Sequence, residues 1–320
     1  MNYRIGIDLG GTDIKAGVVD GNYAIIAKHS RPTLAQRPYA EVIRDMASAA
    51  SAAAQEAGIR LEDCECVGVG TPGFVNSKTD RIVFAGNLNW REVPLKRELM
   101  QYVSAPVFVG NDANCAVIGE TLAGAARGLE NVVLITLGTG VGGGVVIDGK
   151  MFCGGDGMGT ELGHTPLILG GEACTCGLRG CFEAYASVTA LIRQTKRAMQ
   201  AHPESIMNRY AEEKGEVNGR TSFDCAKRGD MAALAVVDQY IEYVAAGIGG
   251  LVCIFRPDVV LVAGAISNER EYLFDPLNEK IGRYVFANDA ISAPRVLRAT
   301  LGNDAGLIGA AFGDRLITRR

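Results

Sequence analysis

The sequence has 320 residues, of which 48% are hydrophobic, and this is enough to bury one large core or two smaller ones. We expect two domains in a chain of this length. The net charge is −4 and the pI is near 5.6. Because the basic residues are scattered, the chain lacks the positive stripe that nucleic acid requires. Charge and composition therefore argue against a nucleic-acid partner.

The N-terminal residues favour a cytoplasmic protein. The sequence MNYRIGIDLGG starts directly with an alternating apolar strand, without the basic and apolar regions of an export signal. The longest apolar stretch, from Tyr243 to Phe255, is shorter than the roughly 18 to 20 residues of a membrane span. We therefore predict a buried helix there and no membrane partner. In a reducing compartment, nine cysteines indicate thiols or metal ligands rather than disulfides.

In chain order, the first predicted elements are two strands around a Gly-Gly-Thr turn, between Ile5 and Gly21. From Val133 to Gly149 the chain repeats this scheme, and VLITLGTGVGGGVVIDG aligns without a gap with IGIDLGGTDIKAGVVDG. A duplicated strand-turn-strand module predicts two related α/β domains, each with a glycine turn that faces the other. Chance similarity of two glycine-rich hairpins is the alternative.

The remaining predicted elements alternate between helix and strand. Hydrophobic periodicity and helix end signals predict helices over Tyr39–Glu56, Cys115–Ala123, Val188–Ala201, Met231–Phe255 and from near Asp304 onward. Strands are predicted over Cys66–Gly70 and Val107–Gly110, and Val259–Ser267 is predicted as a buried strand that ends in a turn of small residues. The charged segment from His202 to Gly229 receives no assignment. This alternation predicts an α/β fold.

Each glycine turn leaves a strand and presents several backbone N–H groups to one point, which suits a phosphate. In the first turn, Asp8 ends a strand and is followed by Gly10, Gly11 and Thr12. The carboxylate of Asp8 can hold Mg²⁺ through water, and the hydroxyl of Thr12 can contact a phosphate oxygen. The glycine spacing matches neither the P-loop nor the dinucleotide fingerprint. We therefore predict a nucleotide ligand, and hairpin geometry alone is the alternative explanation of the glycines.

A cysteine-rich loop follows the second turn. Cys174, Cys176 and Cys181 have the spacing C-x-C-x4-C, and His164 lies ten residues before the first of them. Three thiolates and one imidazole make up a closed tetrahedral zinc site, so we predict a structural Zn²⁺ ion. Buried free thiols or a redox pair are the alternative. We expect the other cysteines to serve packing, namely Cys64, Cys66, Cys115, Cys153, Cys225 and Cys253.

Two glutamates flank this loop. Glu161 and Glu183 are solvated charges in the simplest interpretation, as most glutamates are. A metal bound through one ring nitrogen of His164 would fix the ring and leave the other N–H to donate to a hydroxyl. The two carboxylates would then accept hydrogen bonds from neighbouring hydroxyls. Fixed donors and acceptors around one point predict a site for a polyol such as a sugar.

The motif VGNDAN supplies a candidate base at the C-terminal end of a predicted strand, which is where open α/β sheets bind ligands. Asp112 can accept a proton from a sugar hydroxyl, while Asn111 orients the ring. Helix capping is the alternative, since Asn and Asp are both favoured at an N-cap.

Taken together, the motifs resemble those of the ROK family of sugar kinases and repressors, and within it those of bacterial glucokinases. The resemblance covers nearly the whole chain. Its motifs are DLGGT at Asp8–Thr12, GTPG at Gly70–Gly73, NLNW at Asn87–Trp90, NDAN at Asn111–Asn114, LGTGVGGG at Leu137–Gly144, ELGH at Glu161–His164, CTCGLRGCFE at Cys174–Glu183 and DAGLIGAA at Asp304–Ala311.

The resemblance implies the two-domain actin-like, ribonuclease-H-like ATPase fold, an α/β fold with a cleft between the domains. The domains implied are a small one of residues 1–112 plus 303–320 and a large one of residues 113–302 that carries the zinc loop. The activity implied is the ATP-dependent phosphorylation of glucose to glucose 6-phosphate, with Mg²⁺ and a structural Zn²⁺. A homodimer or homotetramer in the cytoplasm is implied as well.

The resemblance also assigns roles to residues. Asp112 is the implied catalytic base. The sugar-binding residues implied are Gly73, Asn87, Asn111, Asp112, Glu161, His164 and Glu183, and His164 serves the metal as well. The nucleotide-binding residues implied are Asp8, Gly10, Gly11, Thr12, Lys15, Thr136, Gly138, Thr139, Gly140 and Gly264. The metal ligands implied are His164, Cys174, Cys176 and Cys181.

Two positions depart from the family pattern. Ala263 and Ala265 flank Gly264 where members commonly have a run of glycines, so the phosphoryl donor could be polyphosphate or ADP. Thr160 stands where glucokinases commonly have glycine, which leaves N-acetylmannosamine, mannose, allose or fructose as alternative substrates. A non-catalytic sugar sensor or repressor is the rival function. Repressors of this family carry a DNA-binding motif ahead of the first strand, and the start of the chain and its acidic charge argue against one.

Overall fold

The computed structural model describes residues 2–76 and 78–316. The chain divides into two compact units. Unit 1 comprises Met1–Leu134, Gly144–Thr160 and Thr300–Arg320, and unit 2 comprises Ile135–Gly143 and Glu161–Ala299. This division assigns residues 113–134 to the unit that starts at the N-terminus. The family resemblance implies different domain bounds, 1–112 with 303–320 and 113–302, and these bounds stay a prediction.

The strands are β1 (Arg4–Leu9), β2 (Asp13–Val19), β3 (Ile25–Pro32), β4 (Val67–Thr71), β5 (Phe74–Asn76), β6 (Arg81–Ala85), β7 (Trp90–Val93), β8 (Val107–Asn111), β9 (Val132–Leu137), β10 (Val141–Ile147), β11 (Lys150–Phe152), β12 (Val259–Ala263) and β13 (Arg295–Arg298). The helices are α1 (Tyr39–Glu56), α2 (Leu95–Leu99), α3 (Asp112–Ala123), α4 (Glu183–Ala186), α5 (Val188–Ala201), α6 (Ile206–Lys214), α7 (Thr221–Ala226), α8 (Met231–Phe255), α9 (Glu271–Lys280) and α10 (Asp304–Leu316).

Unit 1 contains a five-stranded sheet with the order β3-β2-β1-β4-β8. Strands β1, β4 and β8 are parallel, whereas β1, β2 and β3 pair in antiparallel order. Helix α1 packs on β1, β2 and β3, and α10 packs on β1 and β4. Gly68 allows a close approach of α10, because a Cβ at this position would lie 1.7 Å from Ala310 O. Helices cover the sheet so that the residues of β4 are buried on both faces.

A small antiparallel sheet with the order β5-β6-β7 lies between β4 and β8 in the sequence. A second five-stranded sheet has the order β11-β10-β9-β12-β13. In it β12 and β13 are parallel, and β10 and β11 are antiparallel. The neighbouring strands β9 and β10 form the second predicted hairpin, as β1 and β2 form the first.

Helix α8 is the long apolar element of unit 2. It is long and apolar enough to cross a membrane, with a mean hydropathy of 1.3 over its most apolar 18 residues. Half of those residues are buried in the protein, and core helices of globular proteins can be equally long and apolar. Tyr240, Val244 and Ile248 on this helix are fully buried. The predicted buried helix is thus confirmed.

The bounds of α1, α5 and α8 agree with the prediction from sequence. Helix α3 begins at Asp112, three residues before the predicted start. The unassigned segment from His202 to Gly229 contains α6 and α7. Among the cysteines expected to serve packing, Cys64, Cys66, Cys115 and Cys225 are buried and Cys153 is partly buried. The expectation is wrong for Cys253, which is exposed.

Candidate active site

The parallel strands of unit 1 bring two predicted site segments to one edge of the sheet. Asp8 of β1 is aligned with Gly70 of β4, and Gly70 is aligned with Gly110 of β8. Since neighbouring strands lie about 4.8 Å apart, the Cα atoms of Asp8 and Gly110 are separated by about 10 Å. Asn111 and Asp112 follow Gly110 directly. The predicted magnesium-binding carboxylate and the predicted base thus lie at the carboxyl ends of the same parallel strands.

Asn111, rather than Asp112, is the N-cap of α3. Its Oδ1 accepts hydrogen bonds from Ala113 N at 2.9 Å and from Asn114 N at 3.2 Å. Its Nδ2 donates to Gly73 O at 3.1 Å, which connects the NDAN and GTPG motifs. The side-chain amide is therefore held at both ends, and two predicted sugar-binding residues are in contact.

Asp112 is the first residue of α3, and its side chain is exposed. Its Oδ1 accepts a hydrogen bond from Ala113 N at 2.8 Å. A carboxylate at this position is stabilised by the partial positive charge of a helix N-terminus. Asn111 supplies the cap, and Asp112 adds a second carboxyl or amide acceptor at the same helix N-terminus. The geometry leaves the carboxylate accessible at the edge of the sheet.

The first glycine turn, between β1 and β2, is held by a residue that the sequence analysis did not identify. Thr33 is fully buried, and its Oγ1 donates to Gly10 O at 2.7 Å. Its backbone N donates to Thr12 O at 2.8 Å. Gly11, in the same turn, approaches Asn87, because a Cβ on Gly11 would lie 3.6 Å from the Asn87 side chain. The turn is fixed, and it lies beside a predicted sugar-binding residue.

Asp8 is partly buried at the start of this turn. Burial raises the pKa of the Asp8 carboxyl, and the nearby Lys15 opposes this shift. Lys15 pairs with Asp8 across the β1 and β2 hairpin. Gly306, in the first turn of α10, lies against the carboxylate, since a Cβ there would be 3.8 Å from Asp8 Cγ. Carboxylate oxygen is a ligand type that Mg²⁺ prefers. The Asp8 carboxylate lies beside the Lys15 ammonium group, which is suited to bind a phosphate.

The second glycine turn, between β9 and β10, belongs to unit 2. Gly138 N donates to Gly140 O at 3.0 Å, which closes the turn, and Thr136 Oγ1 accepts from Gly142 N at 3.2 Å. Thr189 Oγ1, at the start of α5, donates to Thr139 O at 2.7 Å. These contacts fix the conformation of the turn before any ligand is bound.

Gly264 lies beside the same strand end. A Cβ on this residue would be 2.2 Å from Leu137 O, so the turn after β12 packs directly on the C-terminal residue of β9. The predicted adenine-side turn is therefore adjacent to the predicted phosphate-binding turn.

The four predicted metal ligands come together in unit 2. One ligand atom from each of His164, Cys174, Cys176 and Cys181 lies within 4.8 Å of the others. Cys174 Sγ is 3.6 Å from His164 Nδ1, and Cys176 Sγ is 3.7 Å from Cys181 Sγ. All nine cysteines are free thiols, so a disulfide does not account for the cluster.

The spacing of the ligand atoms fits zinc. Around a tetrahedral Zn²⁺ ion with bonds of about 2.3 Å to sulfur and about 2.0 to 2.1 Å to nitrogen, two sulfurs lie about 3.8 Å apart. The same geometry places sulfur and nitrogen about 3.6 Å apart. Two of the observed separations, 3.7 and 3.6 Å, match these values, and the four ligand atoms together lie within 4.8 Å of one another. The donor set and its dimensions therefore suit a structural zinc ion bound through Nδ1 of His164.

The two flanking glutamates have different surroundings. Glu161 precedes a short 3₁₀ turn, Leu162–His164, and its carbonyl oxygen accepts a hydrogen bond from His164 N at 3.0 Å. Desolvation by the surrounding protein raises the pKa of the Glu161 carboxyl, although the side chain is exposed. The charge of His164 opposes this shift in pKa, and the charge of Glu183 adds to it. Glu183 instead accepts hydrogen bonds from Thr175 Oγ1 at 2.8 Å and from Val141 N at 3.0 Å. Glu183 is therefore held by protein contacts and is not a simple solvated charge.

The predicted site residues thus form one set in each unit. In unit 1 they are Asp8, Gly10, Gly11, Thr12, Lys15, Gly73, Asn87, Asn111 and Asp112. In unit 2 they are Thr136, Gly138, Thr139, Gly140, Glu161, His164, Cys174, Cys176, Cys181, Glu183 and Gly264. Two contacting residues could not be found from the sequence, namely Thr33, which lies outside every motif, and Thr175, which lies inside the cysteine motif. A threonine carries no signal of the backbone or carboxylate group that its hydroxyl contacts.

Known proteins are similar to this chain over nearly its whole length. The sequence profile of the ROK family matches residues 4–313. The glucokinase of Thermotoga maritima is 37% identical over 308 residues, which cover 96% of this chain and 95% of that protein.

Two solved structures are similar over nearly the whole chain. A ROK family glucokinase from Streptomyces griseus, in complex with glucose and AMPPNP, is 35% identical with a TM-score of 0.81 and covers 97% of this chain and 98% of its own. The ROK hexokinase from Thermus thermophilus is 38% identical with a TM-score of 0.82 and covers 97% of this chain and 96% of its own. These similarities confirm the predicted two-domain actin-like, ribonuclease-H-like fold.

Proposed function

Because the chain belongs to the ROK family, we propose that it is an ATP-dependent hexokinase that converts glucose to glucose 6-phosphate. Similarity at 35 to 38% identity to a glucokinase and to a hexokinase of this family supports the choice of activity. The observation that carries the proposal is the common strand edge on which Asp8 and Asp112 lie. The two carboxylates lie at the carboxyl ends of parallel strands of one sheet, which supports roles for them as the base for a hydroxyl and as a ligand of a metal–nucleotide complex.

Asp112 acts as the general base. Its carboxylate takes the proton of the sugar hydroxyl while the hydroxyl oxygen forms a bond to the γ-phosphorus of ATP. The bond between that phosphorus and its bridging oxygen breaks, and ADP leaves with the electron pair. The position of Asp112 at the first residue of α3 supports this role, because the helix N-terminus favours the ionised form that a base requires.

The sugar is held by residues of fixed orientation. Asn111 is anchored by Gly73 and by the N-terminus of α3, so an amide beside the base is already in place before the sugar binds. Asn87, Glu161, His164 and Glu183 supply the other donors and acceptors. His164 faces the cysteines through Nδ1, and its Nε2 is then the atom that donates to the sugar.

The nucleotide phosphates bind at the two glycine turns, Asp8–Thr12 and Thr136–Gly140, and Gly264 lies on the adenine side. Asp8 and Lys15 are the charged groups for a metal–phosphate complex. When bound, Mg²⁺ neutralises charge on the phosphate oxygens and orients the transferred group. The structural Zn²⁺ ion, when bound by His164 and the three cysteines, fixes the direction of the histidine ring.

A homo-oligomer, a dimer or a tetramer, in the cytoplasm completes the proposal. It rests on the family resemblance alone. The domain bounds 1–112 with 303–320 and 113–302 are part of the same proposal.

The test is a coupled assay for ADP release with Mg²⁺, ATP and a panel of sugars, namely glucose, N-acetylmannosamine, mannose, allose and fructose. We expect the highest kcat/KM for glucose, and NMR of the product should place the phosphate on the 6-hydroxyl. Polyphosphate and ADP are tested as donors in parallel, because Ala263 and Ala265 flank the nucleotide-side turn.

The matched control is Asp112→Asn, which keeps the size of the side chain and removes the base. Sugar binding by calorimetry without turnover by the parent protein, with any donor, would favour a sugar sensor and contradict the kinase. A higher kcat/KM for another sugar would keep the kinase and change its substrate.

A further inference from the structure

The two oxygens of the Glu183 carboxylate contact two different segments of unit 2. Oε1 accepts a hydrogen bond from Thr175 Oγ1 at 2.8 Å and lies 3.4 Å from Cys174 Sγ. Oε2 accepts a hydrogen bond from Val141 N at 3.0 Å. Val141 follows the second glycine turn directly. One side chain thus joins the cysteine loop to the turn that we assign to the nucleotide phosphates.

The turn is shaped around this carboxylate. A Cβ on Gly140 would lie 2.3 Å from Glu183 Oε2 and 3.2 Å from Cδ. Any larger residue at position 140 would therefore displace the glutamate or the turn. The contact between Glu183 and this turn thus depends on the glycine at position 140.

The other end of the connection lies between two metal ligands. Thr175 is flanked in the sequence by Cys174 and Cys176, so its backbone is held on both sides when the cysteines bind zinc. A metal that holds these two residues also holds the backbone of Thr175 and so limits the positions that its hydroxyl can take. Fixed donors lose little conformational entropy when they form a hydrogen bond.

We propose that Glu183 is a positioning residue that couples the metal loop to the second glycine turn, through Thr175 on one side and Val141 N on the other. The intact loop holds the turn in the conformation that receives the phosphates of a nucleotide. The inference rests on the proposed function, since it takes Thr136–Gly140 as a phosphate-binding turn. It adds a route by which the metal loop sets nucleotide affinity, separate from its effect on the sugar through His164.

The first test is Thr175→Val, which removes the hydroxyl at nearly constant size and leaves every metal ligand in place. Binding of a non-hydrolysable ATP analogue with Mg²⁺ is measured by calorimetry without sugar, and bound zinc is measured by elemental analysis. We expect Kd for the analogue to rise about three- to tenfold, as suits the loss of one hydrogen bond to a carboxylate. Zinc should stay at the parent's level, and the Kd for glucose should change by less than about twofold.

The matched control is Thr165→Val. Thr165 follows the ligand His164 directly, and its Oγ1 donates to Leu162 O at 2.8 Å. The Thr165→Val variant removes a hydroxyl beside the same metal site and leaves the contact between Glu183 and Val141 intact. Its nucleotide Kd should equal that of the parent. An equal loss in both variants would overturn the inference, because it would reflect general disturbance of the loop.

The second test compares Glu183→Gln with Glu183→Ala in the same sugar-free measurement. Glutamine can accept from Val141 N through its oxygen and donate to Thr175 Oγ1 through its nitrogen, so it should keep most of the nucleotide affinity. Alanine loses both contacts and should weaken nucleotide binding by more than tenfold. The positioning role would be overturned if Glu183→Ala kept the parent's affinity for the nucleotide analogue. It would also be overturned if Glu183→Gln lost as much of this affinity as Glu183→Ala.

The result is separable from the test of function. If the parent binds the analogue but phosphorylates no sugar, the proposed function fails, and the ranking of these variants still decides the coupling. If the parent binds no nucleotide at all, both proposals are overturned.

Discussion

Asn111 and Gly73 are joined by a hydrogen bond of 3.1 Å from Asn111 Nδ2 to Gly73 O. Gly73 has φ = 91°, and a Cβ there would lie 2.2 Å from Phe84 O, so only glycine suits this position. The bond directs Oδ1 of Asn111 toward the N-terminus of α3, where it caps the helix. The residue after the cap, Asp112, therefore presents its carboxylate at the sheet edge without being the cap.

Replacement of Asp112 by Asn should separate chemistry from helix stability. We expect a loss in kcat of about 10² to 10⁴, because a general base contributes a factor of this size. The variant should fold, keep its zinc and bind ATP, since Asn111 still supplies the cap. Steady-state kinetics at saturating glucose and ATP measure the effect.

The control for this variant is Glu41→Gln, which neutralises another carboxylate in the first turn of a helix. It should leave kcat unchanged. If Asp112→Asn retains kcat within about threefold, a difference of under about 1 kcal/mol in the barrier, the base lies elsewhere.

The protein should contain about one zinc ion per chain, by the chemistry of the His and Cys ligand set. Elemental analysis of protein purified without added metal measures this. Cys174→Ser should lose zinc and lower the free energy of unfolding, because the binding energy of a structural metal is part of the folding energy. Cys253→Ser, at an exposed cysteine outside the cluster, is the control and should change neither. A metal-free parent of full stability would contradict the metal site.

Thr160→Gly should stabilise the protein. Thr160 has φ = 67°, in the left-handed region that a β-branched residue enters at a cost of about 1 to 3 kcal/mol. Glycine relieves this strain, although the greater freedom of the unfolded chain takes back about 0.4 to 1 kcal/mol. We expect a net gain of about 1 kcal/mol in urea denaturation. Thr160→Ala keeps a Cβ and should gain less, and an Ala variant as stable as the Gly variant would refute backbone strain as the cause.

Asp230 should contribute stability that depends on pH. Its Oδ1 accepts from Ala233 N and Ser205 Oγ and its Oδ2 from Ile206 N, at 2.8, 3.0 and 2.9 Å, so it caps α8 and holds the start of α6. Burial raises the pKa of this carboxyl, but the hydrogen bonds outweigh burial and the pKa is lowered overall. The stabilisation is therefore present above the unfolded-state pKa of about 3.9 and is lost as the pH falls through the lower folded-state value.

Asp230→Ala should accordingly lower the free energy of unfolding by about 1 to 2 kcal/mol at pH 7. The difference from the parent should stay constant down to about pH 5 and shrink below about pH 4. Denaturant titrations across this range measure it. Asp275→Ala, at an exposed aspartate of α9, is the control and should stay within about 0.5 kcal/mol of the parent. A difference between Asp230→Ala and the parent that grows in acid would contradict the sign.

Local patterns alone determined the long helices and the metal ligand set. Helix α1 starts after Pro38 and ends before Gly58, and α8 is a single apolar run, so these signals lie within each segment. Three of the metal ligands lie within eight residues of each other, and cysteine spacing of this kind is set by the loop itself. The duplicated hairpins were visible for the same reason.

Tertiary structure decided which side chains have which partners. Glu183 contacts Val141, 42 residues away, and Asn111 contacts Gly73, 38 residues away, and no local pattern encodes either pair. The positive φ of Thr160 is likewise imposed by the surrounding chain, since threonine itself disfavours it. The charged segment His202–Gly229, which received no assignment from sequence, contains α6 and α7, and the rings of Tyr240 and Tyr272 pack against the buried Phe223 of α7. Periodicity and spacing act over a few residues, whereas caps, strain and carboxylate contacts depend on strands and loops that only the folded chain brings together.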